Sequence, residues 1–339
     1  MQGFALKKET QPVFVVDLDD SLLKTDLLVE KMVALLSESP LSVFKIPFVL
    51  LSGRLELKRW LNKKVEIDYS ALPYRSEIIE KIKSARHRGE RVVLLSASLQ
   101  EDVDKVVRAL QIFDEGVGSQ QENLRGSKKI SYLKANYPGA YMTYVGNEAS
   151  DLKVWADCEK IIAVNPSWYL RGQIQSLKRK CEYIFDNQNL PALVIKQMRV
   201  YQWVKNFLVF LPVFAAHRFS ESAPWVNSIR AFFSFSFLAS AVYVFNDICD
   251  LPHDRKQETK KSRPMASGSL PVKVGLVLIP LCLTLSALSC WGLSVQLGGV
   301  LLGYLLMNLG YSFWIKEWLA LDVVFLAGFY TLRIFAGGV

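Results

Sequence analysis

Two sets of acidic residues in this chain have the types and spacing for phosphate chemistry. In AVYVFNDICDLPHD, residues 241–254, an apolar run ends on Asn246 and Asp247, and Asp250 and Asp254 follow at offsets of three and seven from Asp247. Such offsets put the three carboxylates on one face of a helix. Three like charges at the end of a membrane-length helix repel one another and resist burial, so they need a counter-charge. A hard divalent cation shared with phosphate oxygens, Mg²⁺ above all, supplies it. A basic cluster of Arg255, Lys256, Lys260, Lys261 and Arg263 follows. A solvated acidic loop outside a bilayer is the alternative; the spacing and the adjoining cations favour a site. Far earlier, the apolar PVFVV of residues 12–16 stops abruptly in DLDDSL, with Asp17 and Asp19 two apart and Ser21 behind them. One carboxylate of such a pair can attack phosphorus, while the other protonates the leaving oxygen and later activates water.

The elements that carry these residues differ between the two halves. The chain has 339 residues, enough for two domains, and is 51% apolar, but unevenly so. Residues 1–198 mix charges with short apolar runs. From Trp203 onward, long apolar stretches alternate with short polar loops, as in a membrane domain. The net charge of +9 suits an anionic membrane surface or nucleic acid. No basic stripe with interleaved aromatics is present, so the membrane is the expected partner and nucleic acid is not. Five cysteines without paired spacing indicate neither a disulfide framework nor a zinc site. Met1–Pro12 is polar, without the apolar core of a signal peptide, which leaves the N-terminal half in the cytosol.

Expected spans are about 203–217, 226–246, 272–294, 296–315 and 318–339. The loop 247–273 holds six Lys or Arg and Lys316 lies in the next loop on that side, whereas the turn near Ser294–Gly298 has no charge. The expected localisation is an integral protein of a bacterial-type inner membrane, and the positive-inside rule places the N-terminal domain and both sites on its cytosolic side.

In the first half, PVFVV reads as a buried parallel strand delivering carboxylates into the crevice where open α/β sheets bind ligands. Asp17-Leu-Asp19-Asp-Ser21 resembles the first motif of haloacid dehalogenase-type (HAD) phosphatases, DxDx[ST]. RVVLLSAS, residues 91–98, is a second buried strand ending in hydroxyls, and Ser96 fits that family's phosphate-binding Ser/Thr. Gly126-Ser-Lys-Lys129 resembles the lysine motif, with Lys129 or its neighbour Lys128 neutralising the phosphoryl group. Gly146-Asn-Glu-Ala-Ser-Asp151 resembles the metal motif GDxxxD, with Asn147 where the family has its first acid. The resemblance implies a Rossmann-like α/β fold, Asp17, Asp19, Ser96 and Lys129 as catalytic residues, and Asp17, Asp19, Asn147 and Asp151 at Mg²⁺. It also implies a helical cap, about residues 24–75. Within it LSVFKIPFVLL, residues 41–51, is strongly apolar yet too short to span a bilayer, and Arg54, Lys58, Arg59, Lys63 and Lys64 follow. Two readings stay open: a helix lying in the membrane interface with lysines on lipid phosphates, or an ordinary cap core with a solvated basic face. Strands are expected at Ile161–Val164 and near Tyr183–Phe185.

In the second half, Asn246-Asp-Ile-Cys-Asp250-Leu-Pro-His-Asp254 resembles the NDxxDxxxD signature of the UbiA superfamily of intramembrane prenyltransferases. Arg263-Pro264 with Gly268 resembles its RPxxxG ending, and YSFWIKEWLALD, residues 311–322, resembles its later pattern. MRVYQWVKNFLVFLPVF, residues 198–214, is similar to the leading segment of the decaprenyl-phosphate phosphoribosyltransferase branch; Trp and Lys at a span's start also serve as plain interface anchors. The resemblance implies an all-α multi-span domain. Asp247, Asp250 and Asp254 would hold Mg²⁺ against a diphosphate, with Asn246, Lys261, Arg263 and Lys316 orienting it or neutralising its charge. Lys205, Asn206, Tyr311 and Asp322 complete the expected substrate contacts.

The expected organisation is a HAD-like domain at 1–190, a linker at 191–198, and a UbiA-like domain at 199–339. That second domain is expected to be truncated, because the family's second aspartate-rich motif does not occur. The expected function is Mg²⁺-dependent transfer of phosphoribose from its diphosphate donor to a polyprenyl phosphate, with the HAD domain dephosphorylating the lipid-linked product. Prenyl transfer from its diphosphate to an aromatic acceptor is the alternative, as is a HAD domain that only docks.

Overall fold

The computed structural model of the protein describes residues 11–186, 188–310 and 319–338. The chain divides into two compact units, Met1–Asn187 with Arg255–Glu258, and Gln188–Asp254 with Thr259–Val339.

The first unit is built on six strands: β1 (Val13–Val16), β2 (Arg91–Leu99), β3 (Glu115–Ser119), β4 (Met142–Gly146), β5 (Lys160–Val164) and β6 (Lys180–Ile184). They form one parallel sheet in the order β3-β2-β1-β4-β5-β6. Val13–Val16 is buried throughout because the sheet is covered on both sides, which is why its sequence runs apolar rather than alternating. Phe14 and Val16 pack with Ile78, Ile82 and Val103 on one face; Val13 and Val15 pack with Leu133, Tyr144 and Trp155 on the other. The strand order reverses beside β1 and β4, so the ligand crevice of such a sheet falls at their C-terminal ends. Asp17 leaves β1 there and Asn147 leaves β4.

Two strands differ from expectation. β6 begins at Lys180, three residues before the anticipated start, and β3 had no sequence signature at all. The reason for the second is steric. A Cβ on Gly118 would come within 2.8 Å of the Gln100 backbone, so the close helix Gln100–Leu110 demands glycine where a strand normally carries branched residues.

Between β1 and β2 lie the helices Leu27–Glu38, Ile46–Leu51 and Arg54–Lys64, the first two joined by the 3₁₀ turn Pro40–Lys45, around a small core of Ala34, Leu35, Leu57, Leu61 and Val65. An isolated bridge between Leu23 and Tyr74 closes the base of this insertion.

The second unit is helical. Ser222–Cys249 and Val272–Cys290 are long and apolar enough to cross a membrane; Val200–Ala215, Val295–Gly310 and Val324–Gly338 are shorter apolar stretches. The two long helices are tied together by Ser234 and Ser286, whose hydroxyls each donate to the other's carbonyl, at 2.9 and 2.8 Å. Small polar residues at such a contact let the backbones approach and join in hydrocarbon. Over the expected first span, the chain instead forms a 3₁₀ stretch, Val200–Phe210, followed by the short helix Leu211–Ala215. Pro212, which has no N–H to donate, sits at the start of that helix and prevents a continuous ladder.

Candidate functional site

β1 ends where Asp17 turns out of the sheet. The backbone then makes i→i+5 bonds, Leu22 N–H to Asp17 O and Leu23 N–H to Leu18 O, with Asp20 in the left-handed region at φ 53°. This tight turn brings both Asp17 and Asp19 to the crevice. Asp17 Oδ1 accepts from Leu18 N–H at 2.9 Å and lies 2.8 Å from Lys129 Nζ. Asp19 Oδ2 accepts from Ser98 Oγ–H at 2.7 Å and more distantly from Ser96 Oγ–H at 3.5 Å, and its Oδ1 accepts from Leu27 N–H at 2.9 Å. Ser96 Oγ in turn accepts from Ser98 N–H at 3.0 Å.

Lys129, buried on the helix Ser127–Asn136, also donates to Tyr144 Oη at 2.9 Å and lies 3.8 Å from Asp151. Its neighbour Lys128 points to Glu122 at the surface instead. Tyr144 Oη–H donates to Asp151 Oδ1 at 3.0 Å, and Asp151 Oδ2 accepts the N–H groups of Asn147 and Glu148, each at 3.1 Å. Asp151 thus organises the turn after β4, and Gly146 is required there because a Cβ would come within 2.6 Å of its carboxylate. Asn147 Oδ1 accepts from Ser21 Oγ–H at 3.1 Å, which joins the first and last motifs.

The charge balance is negative. Burial, with Asp151 and Asp19 adding to it, pushes Asp17 up to about 7 despite the pull of Lys129. Burial and Asp26 push Asp19 up to about 6. Lys129 moves the other way: burial would lower it, but Asp17 and Asp151 outweigh that and hold it above its ordinary value. An all-oxygen donor set with surplus negative charge fits a hard cation such as Mg²⁺.

In the second unit, the helix carrying Asn246 and Asp247 ends at Cys249, Asp250 caps it, and Leu251–Asp254 forms a separate turn. The expected single helical face therefore breaks at Asp250. Asp247 and Asp254 are bridged by one guanidinium, Arg263 Nη1 donating to Asp247 Oδ1 at 3.0 Å and Asp254 Oδ2 at 2.6 Å. Asp247 also accepts from Arg199 at 2.6 Å and from Gln197 at 2.7 Å. Among the described residues, no group of three or more His, Cys, Asp or Glu side chains is gathered to hold a metal ion. Even so, Asp254 Oδ1 is buried without a hydrogen-bond partner, in a long ion pair with Lys260 Nζ at 3.9 Å. Burial raises the Asp254 carboxyl and Asp247 and Asp250 add to that, while Arg263 opposes it. A buried carboxylate oxygen of this kind fits a divalent cation as well.

The other expected residues are dispersed. Asn246 and Asp250 are half-buried beside Asp247, and Lys261 is exposed. Lys205 is exposed, whereas Asn206 is 1% exposed and donates to Ser236 Oγ at 3.0 Å, about 16 Å along the helix axis from Asp247. Tyr311 and Lys316 lie outside the described residues. Asp322 falls on the helix Leu319–Gly338 with its side chain also outside them. Arg199 and Gln197 were missed as partners of Asp247, since Arg199 reads only as a loop charge. Tyr144, hidden in the apolar run MTYVG, was missed as the partner of Lys129 and Asp151.

Residues 207–339 match the UbiA prenyltransferase family. An uncharacterized protein, y4nM, of Sinorhizobium fredii is 29% identical over 327 residues, covering 96% of this chain and 63% of that protein. The decaprenyl-phosphate phosphoribosyltransferase of Mycobacterium tuberculosis is 36% identical over 155 residues, covering 44% of this chain and 51% of the enzyme. The chain thus spans between about half and two thirds of the length of these relatives. Among solved structures, a substrate-bound phosphoserine phosphatase aligns with 51% of this chain and 93% of its own, at 15% identity and a TM-score of 0.37. Residues 207–339 are thus similar to the UbiA prenyltransferase family, and in the chain they follow a separately folded α/β unit built on a parallel sheet.

Proposed function

We propose that the protein is a membrane-bound transferase that moves phosphoribose from its diphosphate donor to a polyprenyl phosphate. Its HAD-like unit would then remove a phosphate from the lipid-linked product. The observation that carries the transfer reading is the Asp247–Arg263–Asp254 bridge, with Asp254 Oδ1 beside it buried and accepting no hydrogen bond. Carboxylates and guanidinium together suit a diphosphate accompanied by a cation. Asp247, Asp250 and Asp254 would hold Mg²⁺, which when bound neutralises the charge developing on a leaving diphosphate. Arg263 and Arg199 supply fixed positive charge to the same oxygens. The 36% identity to decaprenyl-phosphate phosphoribosyltransferase supports phosphoribose as the transferred group.

In the HAD-like unit, Asp17, Asp19 and Asn147 would hold Mg²⁺. Asp17 supplies the attacking oxygen, and the Lys129 ammonium favours its ionised form against burial and offsets the phosphoryl charge. Asp19, held by Ser98 and the Leu27 amide and pushed up to about 6, can carry the proton that the leaving oxygen takes.

The test is to supply membranes containing the protein with polyprenyl phosphate and either labelled phosphoribosyl diphosphate or labelled prenyl diphosphate. Label entering lipid only from the first supports the reading. Label entering only from the second assigns prenyl transfer instead.

A further inference from the structure

The apolar stretch of the insertion is helical, yet it is apolar on both sides. Val43, Ile46 and Val49 pack inward against the core of Ala34, Leu35, Leu57, Leu61 and Val65. Leu41, Phe44, Phe48 and Leu51, spaced three, four and three apart, stand on the other side, 80%, 74%, 73% and 87% exposed. A surface helix needs one apolar side to be buried and normally carries polar residues on the other. Four contiguous large apolar side chains held out by a packed inner side mark a contact surface.

Its rim is basic. Lys45 is exposed within the stretch, Arg54 just beyond it, and Lys63 and Lys64 at the end of the next helix. Lys58 and Arg59 do not join this rim: they turn to the strand ends, donating to Ala97 O at 2.6 Å and Gln120 O at 2.7 Å. Bulky apolar residues bordered by cations match the chemistry of an anionic bilayer surface, where side chains enter the acyl boundary and ammonium groups meet phosphates. The same chain contains two helices long and apolar enough to cross a membrane, which would keep a bilayer within tether range.

We propose that the Leu41–Leu51 surface inserts into the interfacial layer of an anionic membrane. The lipid contact stands by itself. Its consequence, that the Asp17–Asp19 site receives phosphate esters borne by the bilayer, rests on the phosphatase reading above.

The test places the photoreactive residue benzoylphenylalanine at Phe48 of the full chain, reconstituted in vesicles of phosphatidylglycerol and phosphatidylethanolamine. A second sample carries it at Lys83, an exposed position on the helix Ser76–His87. Lipid adducts are expected from position 48 and none above background from position 83. Adducts from position 48 to protein, whether a second copy or another segment of the chain, overturn the proposal. So do equal lipid adducts at both positions. The variant Leu41→Ser/Phe44→Ser/Phe48→Ser/Leu51→Ser then separates the two readings. It should keep hydrolysis of a small soluble phosphate ester while losing hydrolysis of polyprenyl phosphoribose in vesicles. If the unaltered protein hydrolyses neither, the phosphatase reading fails while the adduct at position 48 still decides the lipid contact.

Discussion

Lys129 Nζ lies 2.8 Å from Asp17 Oδ1, and both side chains are buried. Burial, with Asp151 and Asp19 adding to it, pushes Asp17 up, and the ammonium beside it pulls the other way to favour the ionised form. Lys129→Met removes that charge while preserving the bulk of the side chain. Phosphate release from a small ester should then fall by about 10²–10³-fold, the usual cost of losing one positioned electrostatic group. Lys128→Met, altering the surface partner of Glu122, should leave the rate within about twofold of that of the unaltered protein. Steady-state phosphate release checks both, and equal losses in the two variants would place the phosphoryl charge elsewhere.

The chemistry-bearing turns of the first unit were legible from sequence because each sits at the end of an apolar strand. The choice between Lys128 and Lys129 was not legible, because it depends on which side of the helix Ser127–Asn136 meets β1. The partners were legible least of all. Ser98 reaches Asp19 across 79 positions, Tyr144 looks like any strand residue, and Arg75 bonds a loop more than fifty residues earlier. In the second unit, spacing placed Asp247, Asp250 and Asp254 on one face. It could not reveal that the helix ends at Cys249 or that Arg263 would bridge two of the three.

Arg75 fixes the loop that carries the acids. Its Nη1 donates to the carbonyls of Asp20, Ser21 and Leu23 at 2.7, 2.8 and 2.6 Å, which holds Asp20 in its left-handed conformation. Arg75→Ala removes the donor to three carbonyls and the charged partner of Asp186, and should cost about 3 kcal/mol of unfolding free energy. Arg75→Lys cannot reproduce the planar fork, so it should recover some stability yet little activity. A lysine variant with full phosphate release would remove the positioning role.

Arg75 also pairs with Asp186 at 2.8 Å, and Asn165 Nδ2 donates to the same carboxylate at 2.7 Å. Burial would raise the Asp186 carboxyl, but the bonds and charge of Arg75, joined by Asn165, hold it below its ordinary value. A depressed folded-state value means that the stability contribution is fully present above the unfolded-state aspartate range, about pH 4, and is lost as pH falls through the folded value. Asp186→Asn should therefore cost about 2 kcal/mol at neutral pH, and the gap from the unaltered protein should close on acidification below about pH 4. Unfolding monitored from pH 7 to pH 3 measures this; a gap independent of pH would mean that the pair contributes through packing alone.

Lys205 and Asn206 are neighbours in sequence with opposite surroundings. Arg333, 4% exposed on the helix Leu319–Gly338, donates from Nε to Asn206 Oδ1 at 2.8 Å, from Nη1 to Phe329 O at 2.5 Å and from Nη2 to Tyr304 Oη at 3.2 Å. The Tyr304 ring lies 5.2 Å from its guanidinium carbon. All these partners are uncharged, so the cation depends on full hydrogen bonding to remain buried. Asn206→Ala leaves the Nε–H and the Ser236 hydroxyl unmatched, and should lower stability in detergent micelles by about 1–3 kcal/mol. Asn206→Asp places a carboxylate beside the guanidinium and should lose less. Lys205→Ala, at an exposed position, should stay within about 0.5 kcal/mol. If Lys205→Ala lowers transfer activity without changing thermal unfolding, while Asn206→Ala lowers both, the two residues divide into one that meets substrate and one that holds the bundle together. Unchanged unfolding in Asn206→Ala would show instead that Arg333 finds its acceptor elsewhere.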